Sequence, residues 1–235
     1  MTDSGPDEKV FHISFDAKTA PHDEAIRHAF ETGIPPYTLI RGLRTKMIGE
    51  EMVLGYNESL PKFRGQDLLE LVRTFHEKTL DVVRVADIGY GAGHLLLDLT
   101  NEFGFVKALG FGRDAYAKLD TPSFGIKPTL DQLSGNPRIT LVDGDPPFSN
   151  DQIPPSSQNI VVVNNVLQYV PIHEAEIVAD LVKTLSPGGI SLLNQVGLED
   201  TDILELLQKN GVRKENIEIY KSSHPNIGKT LAFMK

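Results

Sequence analysis

The sequence predicts an α/β fold in which helices cover a seven-stranded, mostly parallel sheet that ends in an antiparallel hairpin. Two observations carry this prediction. Apolar, strand-like segments alternate with amphipathic helical segments from residue 82 onward, and a glycine-rich turn follows the first of these strands. Alternation of this kind produces right-handed βαβ crossovers and a parallel sheet. The last two strands have no helix between them, so they are expected to pair antiparallel.

The strands are predicted from short apolar runs that end in glycine, acidic or amide residues. They cover residues 82–89, 106–112, 139–145, 159–167, 190–196, 217–222 and 230–235. The helices between them are predicted at 94–103, from Asp114 onward, at 173–185 and at 201–211, and Ser186–Gly189 is expected to form a helix-to-strand turn.

The first third of the chain has a different pattern. Apolar residues recur at helical spacing in 22–33, 37–54 and 65–78, and no strand signal precedes residue 82. We therefore expect a helical N-terminal cap or lid over residues 1–80 and a sheet-containing domain over residues 81–235.

Composition limits the class of protein. With 40% hydrophobic and 23% charged residues, the chain is not expected to be wholly disordered. It has no cysteine, so it cannot be a disulfide scaffold. The formal net charge of −9 disfavours partners rich in phosphate, so neither nucleic acid nor an anionic membrane is expected as a partner. The first residues lack the apolar core of a signal peptide, and no apolar run approaches the roughly 20 residues of a membrane span. A cytoplasmic location is expected; the oligomeric state stays open.

The strongest motif is the segment Asp87–Gly93, at the predicted strand-to-helix turn. Glycines at alternate positions, Gly89, Gly91 and Gly93, allow a tight turn and close approach of a ligand to the backbone. The next helix offers its N-terminal N–H groups to negative charge. The alternative is a tight βα turn that needs small residues for its own packing.

Polar residues also follow the third and fourth strands. Asp145 could accept a hydrogen bond from an exocyclic amine such as that of adenine, or it could simply form a turn before proline. Asn164 and Asn165 follow the fourth strand and are expected to face the same crevice, or to cap the next helix.

The order of these motifs resembles the class I S-adenosylmethionine (SAM) dependent methyltransferase fold, which is Rossmann-like. The matching segments are 86–93, 142–148, 159–170, 185–193 and the terminal hairpin, and they span about residues 82–235. The resemblance implies SAM as the cofactor. It implies these cofactor-binding residues within the sheet domain: Asp87, Gly89, Tyr90, Gly91 and Gly93 near the methionine part, Asp145 at adenine, and Asn164 near the sulfonium or carboxylate.

Within that superfamily, Ile34–Tyr37 and the fourth-strand segment are similar to the carboxy-SAM synthase branch, which implies that Tyr37 closes over SAM. A tyrosine ring suits a sulfonium, which is a cation; the alternative is an aromatic residue packed on the core.

Two departures from the pattern of that superfamily stand out. Gly112 occupies the place of the usual ribose-binding acid, and only residues 197–200 separate the fifth strand from the next helix. That branch's carboxylate-binding arginine has no counterpart here, so synthesis of carboxy-SAM is not expected.

Candidate catalytic residues follow the fourth strand: Asn165, Tyr169 and His173. A histidine there could act as a general base near neutral pH, or it could be a solvated residue at a helix start. No histidines are paired at metal-ligand spacing, so no metal site is expected. Glu174 and Glu176 are expected to lie on a solvated face.

The expected activity is methyl transfer from SAM to a small-molecule nucleophile. Two alternatives stay open at this point. The short connection after the fifth strand leaves little room for a second substrate, so SAM alone could cyclise to azetidine-2-carboxylate with release of methylthioadenosine. The missing ribose acid would also suit a non-catalytic partner protein with the same fold.

Overall fold

The computed structural model describes residues 60–90, 93–112, 133–164, 166–167, 171–220 and 229–235. The two predicted helices at 22–33 and 37–54, and the helix predicted from Asp114, lie outside these ranges. Within the described ranges, every helix is too short or too polar to cross a membrane.

A single mixed sheet with the strand order β3-β2-β1-β4-β5-β7-β6 forms the centre of the molecule. Its strands are β1 (Val83–Ile88), β2 (Val106–Phe111), β3 (Ile139–Val142), β4 (Gln158–Val163), β5 (Leu185–Val196), β6 (Ile217–Tyr220) and β7 (Lys229–Met234). The helices are α1 (Leu68–Thr79), α2 (His94–Glu102), α3 (Glu174–Thr184) and α4 (Asp200–Lys209).

The first five strands pair in parallel, and β7 pairs antiparallel with both β5 and β6. This arrangement confirms the predicted seven-stranded, mostly parallel sheet with a terminal antiparallel hairpin. The chain reverses its direction of strand addition between β1 and β4. Ligands of open α/β sheets bind beyond the carboxyl ends of the strands at such a switch point.

Both faces of the sheet are covered by helices, which explains why its central strands are apolar on both sides. On one face, alternate residues of β1, β4 and β5 pack with α1 and α2 in a single apolar cluster. On the other face, the intervening residues pack with α3 and α4. The sheet is therefore the middle layer of three, and its carboxyl edge remains available to loops.

Residues just before α1 are attached to the far edge of the sheet. The backbone N–H of Arg64 donates to both carboxylate oxygens of Glu218 at 3.1 Å. The Tyr220 hydroxyl lies 3.0 Å from the carbonyl oxygen of Lys62 and 2.6 Å from Glu218 Oε2, so its single proton is available to either acceptor. Helix α1 itself begins in a capping box formed by Asp67 and Glu70. The division into a cap over 1–80 and a sheet domain over 81–235 stays a prediction.

Three predicted boundaries in the sheet are wrong by several residues. The fourth strand ends at Val163 instead of reaching residue 167. The third strand ends at Val142 instead of reaching residue 145, so Asp143 and Asp145 lie in the loop beyond it. The fifth strand begins at Leu185, which pairs with Gln158. Ser186–Gly189 lies inside this strand as a bulge opposite Asn159, and regular pairing resumes at Ile190, so these residues do not form a turn ahead of the strand. Gly189 makes this possible: a Cβ there would lie 2.9 Å from the carbonyl oxygen of Ser186 and 3.1 Å from that of Asn159.

Candidate functional site

The turn after β1 lies beside the switch point and is closed by backbone hydrogen bonds. The N–H of Gly89 donates to the carbonyl of Phe111 at 2.6 Å, and the N–H of Gly93 donates to the carbonyl of Tyr90 at 2.8 Å. Gly89 and Gly93 both have φ of +74°, a conformation that side chains with a Cβ disfavour. The glycine pattern therefore identifies the turn correctly; Gly91 lies outside the described residues.

Packing gives both glycines a second reason to lack a side chain. A Cβ at Gly89 would lie 2.3 Å from Cγ2 of Val166, and a Cβ at Gly93 would lie 2.3 Å from Cδ1 of Leu133. Since Val166 follows β4, the loops after β1 and β4 touch each other across the switch point. The expected alternative, small residues needed for tight packing, thus holds at these two positions, and the ligand-binding role of the turn stays a prediction.

Helix α2 begins directly at this turn. Gly93 is its N-cap residue and has no side chain with which to satisfy the first N–H groups. The first turn of α2 carries no acidic residue. These N–H groups and the positive end of the helix dipole favour a negatively charged group at the turn.

The side chain of Tyr90 is directed into the protein. It is 4% exposed and packs in an apolar cluster formed with Leu96, Leu97, Ala108 and Leu133. A Cβ on Gly110 would lie 2.9 Å from the Tyr90 ring, so the ring rests on the β2 backbone. The predicted cofactor contact of Tyr90 therefore remains a prediction for its backbone, while its ring belongs to the core.

On the face that carries α1 and α2, the alternate residues of each of the three central strands form an apolar column. Each column ends in a buried polar side chain at the carboxyl edge. Asp87 follows Val83 and Val85 on β1, and it is fully buried. Asn164 ends the corresponding column of β4 with 4% exposure. Asn194 ends the column of β5 with 1% exposure. The face therefore changes from apolar to polar at the carboxyl edge, where the glycine turn lies.

The two asparagines contact each other. Asn194 Nδ2 donates to Asn164 Oδ1 at 3.1 Å, across neighbouring parallel strands. Sequence reasoning identified Asn164 but missed Asn194, because Asn194 lies 30 residues away within an apolar strand. The one available signal was an amide at the carboxyl end of a parallel strand, the same signal that identified Asn164.

Asp145 lies in the exposed loop after β3. This loop is held against the sheet at Gly144, where a Cβ would lie 2.8 Å from Cζ of Phe111. Gln152 stabilises the loop further, because its Nε2 donates to the carbonyl of Asp143 at 3.3 Å. An exposed carboxylate on a fixed loop can accept a hydrogen bond from a ligand, and its assignment to adenine stays a prediction.

The candidate catalytic residues are only partly described. Asn165, Tyr169 and the cap residue Tyr37 lie outside the described residues. His173 stands at the N-cap of α3, where its Nδ1 lies 3.0 Å from Oε2 of Glu176. Its side chain is 42% exposed. The structure thus gives His173 a partner on its own helix, and its catalytic role stays a prediction.

The expectation that Glu174 lies on a solvated face is wrong. Glu174 is 4% exposed, and its Oε1 accepts a hydrogen bond from the backbone N–H of Gly197 at 2.6 Å. Burial raises the pKa of this carboxyl above its ordinary value, although the N–H groups of Gly197 and Leu198 and the charge of Lys229 act in the opposite direction. Glu174 therefore fixes the short loop between β5 and α4.

Both departures noted in the sequence are present in the structure. Gly112 directly follows β2, where a ribose-binding acid was expected. Residues 197–199 alone connect β5 to α4, so no helix is inserted there. Among the residues that the structure describes, no three His, Asp or Glu side chains cluster as a metal site requires.

The strand order, the terminal hairpin and the glycine turn after β1 agree with the Rossmann-like sheet that the resemblance to the class I SAM-dependent methyltransferase fold implied. Its similarity to the carboxy-SAM synthase branch stays a prediction. No protein-family model and no curated protein matches the sequence.

Several solved structures are similar to the chain. The precorrin-6y C5,15-methyltransferase from Geobacter metallireducens GS-15 is 18% identical, with 76% of this chain and 96% of that chain covered and a TM-score of 0.45. PigF with SAH is 14% identical, with 99% of this chain and 66% of that chain covered and a TM-score of 0.49. The CurJ carbon methyltransferase is 11% identical at a TM-score of 0.46, with 69% of this chain covered; this chain spans about half of it, 51%.

Proposed function

We propose that this protein is an enzyme that uses SAM to methylate a small-molecule nucleophile. The observation that carries the proposal is the juxtaposition at the switch point. There, the glycine turn and the start of α2 offer backbone N–H groups, and Asn164 lies on the adjacent strand at the same level of the sheet.

The donors in this crevice fit the amino-acid end of SAM. A carboxylate is stabilised by backbone N–H groups at a helix start, and Gly93 leaves these groups uncapped by any side chain of its own. Asn164 adds an uncharged amide, which can bind a carboxylate or an amine without introducing a competing charge. Gly112 adds no side-chain acceptor for the ribose hydroxyls, so we expect Asp145 and the turn to carry most of the contacts to the adenosine part.

When bound, SAM supplies an electrophilic methyl group on a sulfonium. The chain's own residues then need only to bind the acceptor, align it and exclude water, because in-line positioning provides a large part of such a rate enhancement. Asn165, Tyr169 and His173 are the residues that we propose for the acceptor side. His173 would accept a proton from the acceptor, and Tyr37 would close over the cofactor.

The remaining features of the proposal follow from composition. A net charge of −9 supports a small-molecule acceptor over nucleic acid or a membrane. The absence of cysteine is compatible with the cytoplasm, where we propose that the enzyme acts.

The decisive experiment is incubation of the purified protein with SAM, with and without a panel of small nucleophiles, followed by mass spectrometry. Formation of S-adenosylhomocysteine only when an acceptor is present supports methyl transfer. Formation of methylthioadenosine from SAM alone would overturn it in favour of cyclisation. Failure to bind SAM or S-adenosylhomocysteine at millimolar concentration in a calorimeter would overturn the use of SAM altogether.

Two asparagines of the same strand provide a matched pair of variants. Asn164→Ala removes the amide at the carboxyl end of β4, whereas Asn159→Ala removes one near its amino end, where Oδ1 accepts from Arg84 N at 2.8 Å. We expect Asn164→Ala to weaken S-adenosylhomocysteine binding about tenfold and Asn159→Ala to leave it unchanged. An equal effect of the two substitutions would contradict the location of the site.

A further inference from the structure

Asn164 and Asn194 form a buried amide pair in the row of residues that ends the central strands. Ile88 is in register with Val163, and Val163 is in register with Leu193. The next residue on each chain is Gly89, Asn164 and Asn194. The amide pair therefore lies at the same level as the first glycine of the turn, with Asn164 in the middle of the row.

The preceding row shows that an amide pair is not required for packing. On β4 and β5 this row consists of Val162 and Leu192, which are in register, fully buried and part of the apolar cluster under α1 and α2; its member on β1 is the buried Asp87. A polar group costs free energy when it is buried, and a hydrogen bond compensates only for this cost. An apolar pair in the Asn164 row would extend the same column at no such cost. The pair thus points to a role in polarity instead of in packing.

The hydrogen bond sets which end of the Asn164 amide faces which strand. Asn194 Nδ2 is a donor, so it fixes Asn164 Oδ1 on the β5 side. The amide is planar and its oxygen and nitrogen lie on opposite arms. The two arms of the planar amide diverge, so Nδ2 does not share the β5 side with Oδ1; β1 and the glycine turn lie on the opposite side of β4.

We propose that Asn194 is a positioning residue that holds Asn164 with its N–H donors toward the carboxylate end of the ligand. This inference rests on the proposed function and deepens it. It assigns Asn194 a role in ligand recognition without contact to the ligand. It also assigns the Asn164 amide the polarity of a donor, which recognises an anionic group.

The test compares two ligands that differ in one end. S-adenosylhomocysteine carries the amino-acid carboxylate, and 5′-methylthioadenosine lacks it. Dissociation constants of both are measured by calorimetry on the full chain with the wild type, Asn194→Ala and Asn194→Asp. We expect Asn194→Ala to weaken S-adenosylhomocysteine about tenfold, which is the loss of about one hydrogen bond, and to change methylthioadenosine less than twofold.

Asn194→Asp provides a signature that a structural role would not give. Aspartate has nearly the same shape as asparagine but can only accept hydrogen bonds when ionised. It would turn the Asn164 amide so that Nδ2 faces β5 and Oδ1 faces the ligand. We expect this variant to bind S-adenosylhomocysteine more weakly than Asn194→Ala does, with methylthioadenosine again unchanged. Because aspartate conserves the shape of the side chain, Asn194→Asp also tests the proposal if Asn194→Ala does not fold.

The outcomes separate this inference from the proposed function. A wild type that binds neither ligand overturns the proposed function, and the inference with it. A wild type that binds both, with variants that weaken both ligands equally or neither, overturns the inference alone. The double variant Asn164→Ala with Asn194→Ala is expected to bind S-adenosylhomocysteine as Asn164→Ala does. Additive losses would contradict action through Asn164.

Discussion

The carboxylate of Glu174 accepts a hydrogen bond from the backbone N–H of Gly197 at 2.6 Å, and this contact joins the start of α3 to the loop after β5. A Cβ on Gly197 would lie 3.1 Å from Glu174 Oε2, so the loop approaches the carboxylate closely. Lys229 holds the same loop from the other side, since its Nζ lies 3.0 Å from Oδ1 of Asp200. The short loop between β5 and α4 is thus fixed at both ends.

We expect Glu174→Gln and Glu174→Ala to differ in their effects on stability at neutral pH. Glutamine keeps an acceptor for Gly197 and removes the desolvation of a buried charge, so the free energy of unfolding should be equal to or slightly above that of the wild type. Alanine leaves the N–H groups of Gly197 and Leu198 without this acceptor and should lower the free energy of unfolding by about 1–3 kcal/mol. Urea denaturation at pH 7 measures both differences.

The raised pKa of Glu174 also predicts how the stabilities of the wild type and of Glu174→Gln differ with pH. The pKa of Glu174 is raised in the folded state from its ordinary value of 4.5, so the folded state binds more protons than the unfolded state above that pH. The wild type should therefore lose stability relative to Glu174→Gln as the pH rises from about 4.5 through the raised pKa, and the difference should then stay constant. Glu176→Gln, at a side chain that is 64% exposed, is the control. A wild type that gains stability relative to Glu174→Gln over this range would refute the argument.

Gly93→Ala should destabilise the fold through two effects. The new methyl group would overlap Cδ1 of Leu133, at 2.3 Å, and the backbone φ of +74° is unfavourable for alanine. Together, strain and overpacking should lower the free energy of unfolding by about 2–4 kcal/mol. Gly104→Ala is the matched control, because a Cβ there has no atom of the described structure within 4 Å. Equal stability of the two variants, measured by thermal unfolding, would show that the turn adapts.

Leu80→Gly should stabilise the protein. Leu80 ends α1 in a left-handed conformation with φ of +56°, and its side chain is 80% exposed, so it contributes little packing. Glycine removes strain of about 1–2 kcal/mol and loses part of that gain to chain entropy, which leaves about 0.5–1 kcal/mol. Leu80→Ala keeps a Cβ and should show no gain. If alanine stabilises as much as glycine does, the exposed apolar surface and not the backbone is responsible.

Local patterns in the sequence predicted the sheet and its hairpin well. Apolar runs such as Val83–Ile88 and Gln158–Val163 are buried on both faces, and that pattern is visible without knowledge of their partners. The turn at Gly89 and Gly93 was also predictable from local sequence, because positions with a positive φ favour glycine and the glycines are visible in the sequence.

Contacts between distant residues were not predictable in this way. Glu174 stands in an acidic, helical stretch that suggests solvent, and its partner Gly197 lies 23 residues later. The partner of Asn164 lies 30 residues later. The inward direction of Tyr90 depends on the space left by Gly110 of the neighbouring strand. Each of these side chains is placed by the register of two strands or by the docking of a loop, and neither leaves a local signal in the sequence.

The attachment of residues 62–64 to Glu218 and Tyr220 has a consequence for the behaviour of the protein at high concentration. β6 is the terminal strand of the sheet, and a terminal strand exposes unpaired backbone groups that can recruit a strand from another molecule. Here the strand has only four residues, and a preceding stretch of the same chain is bound to two of its side chains. The other terminal strand, β3, is equally short. Both margins of the sheet are therefore poor templates for intermolecular β-pairing, which favours a protein that resists aggregation.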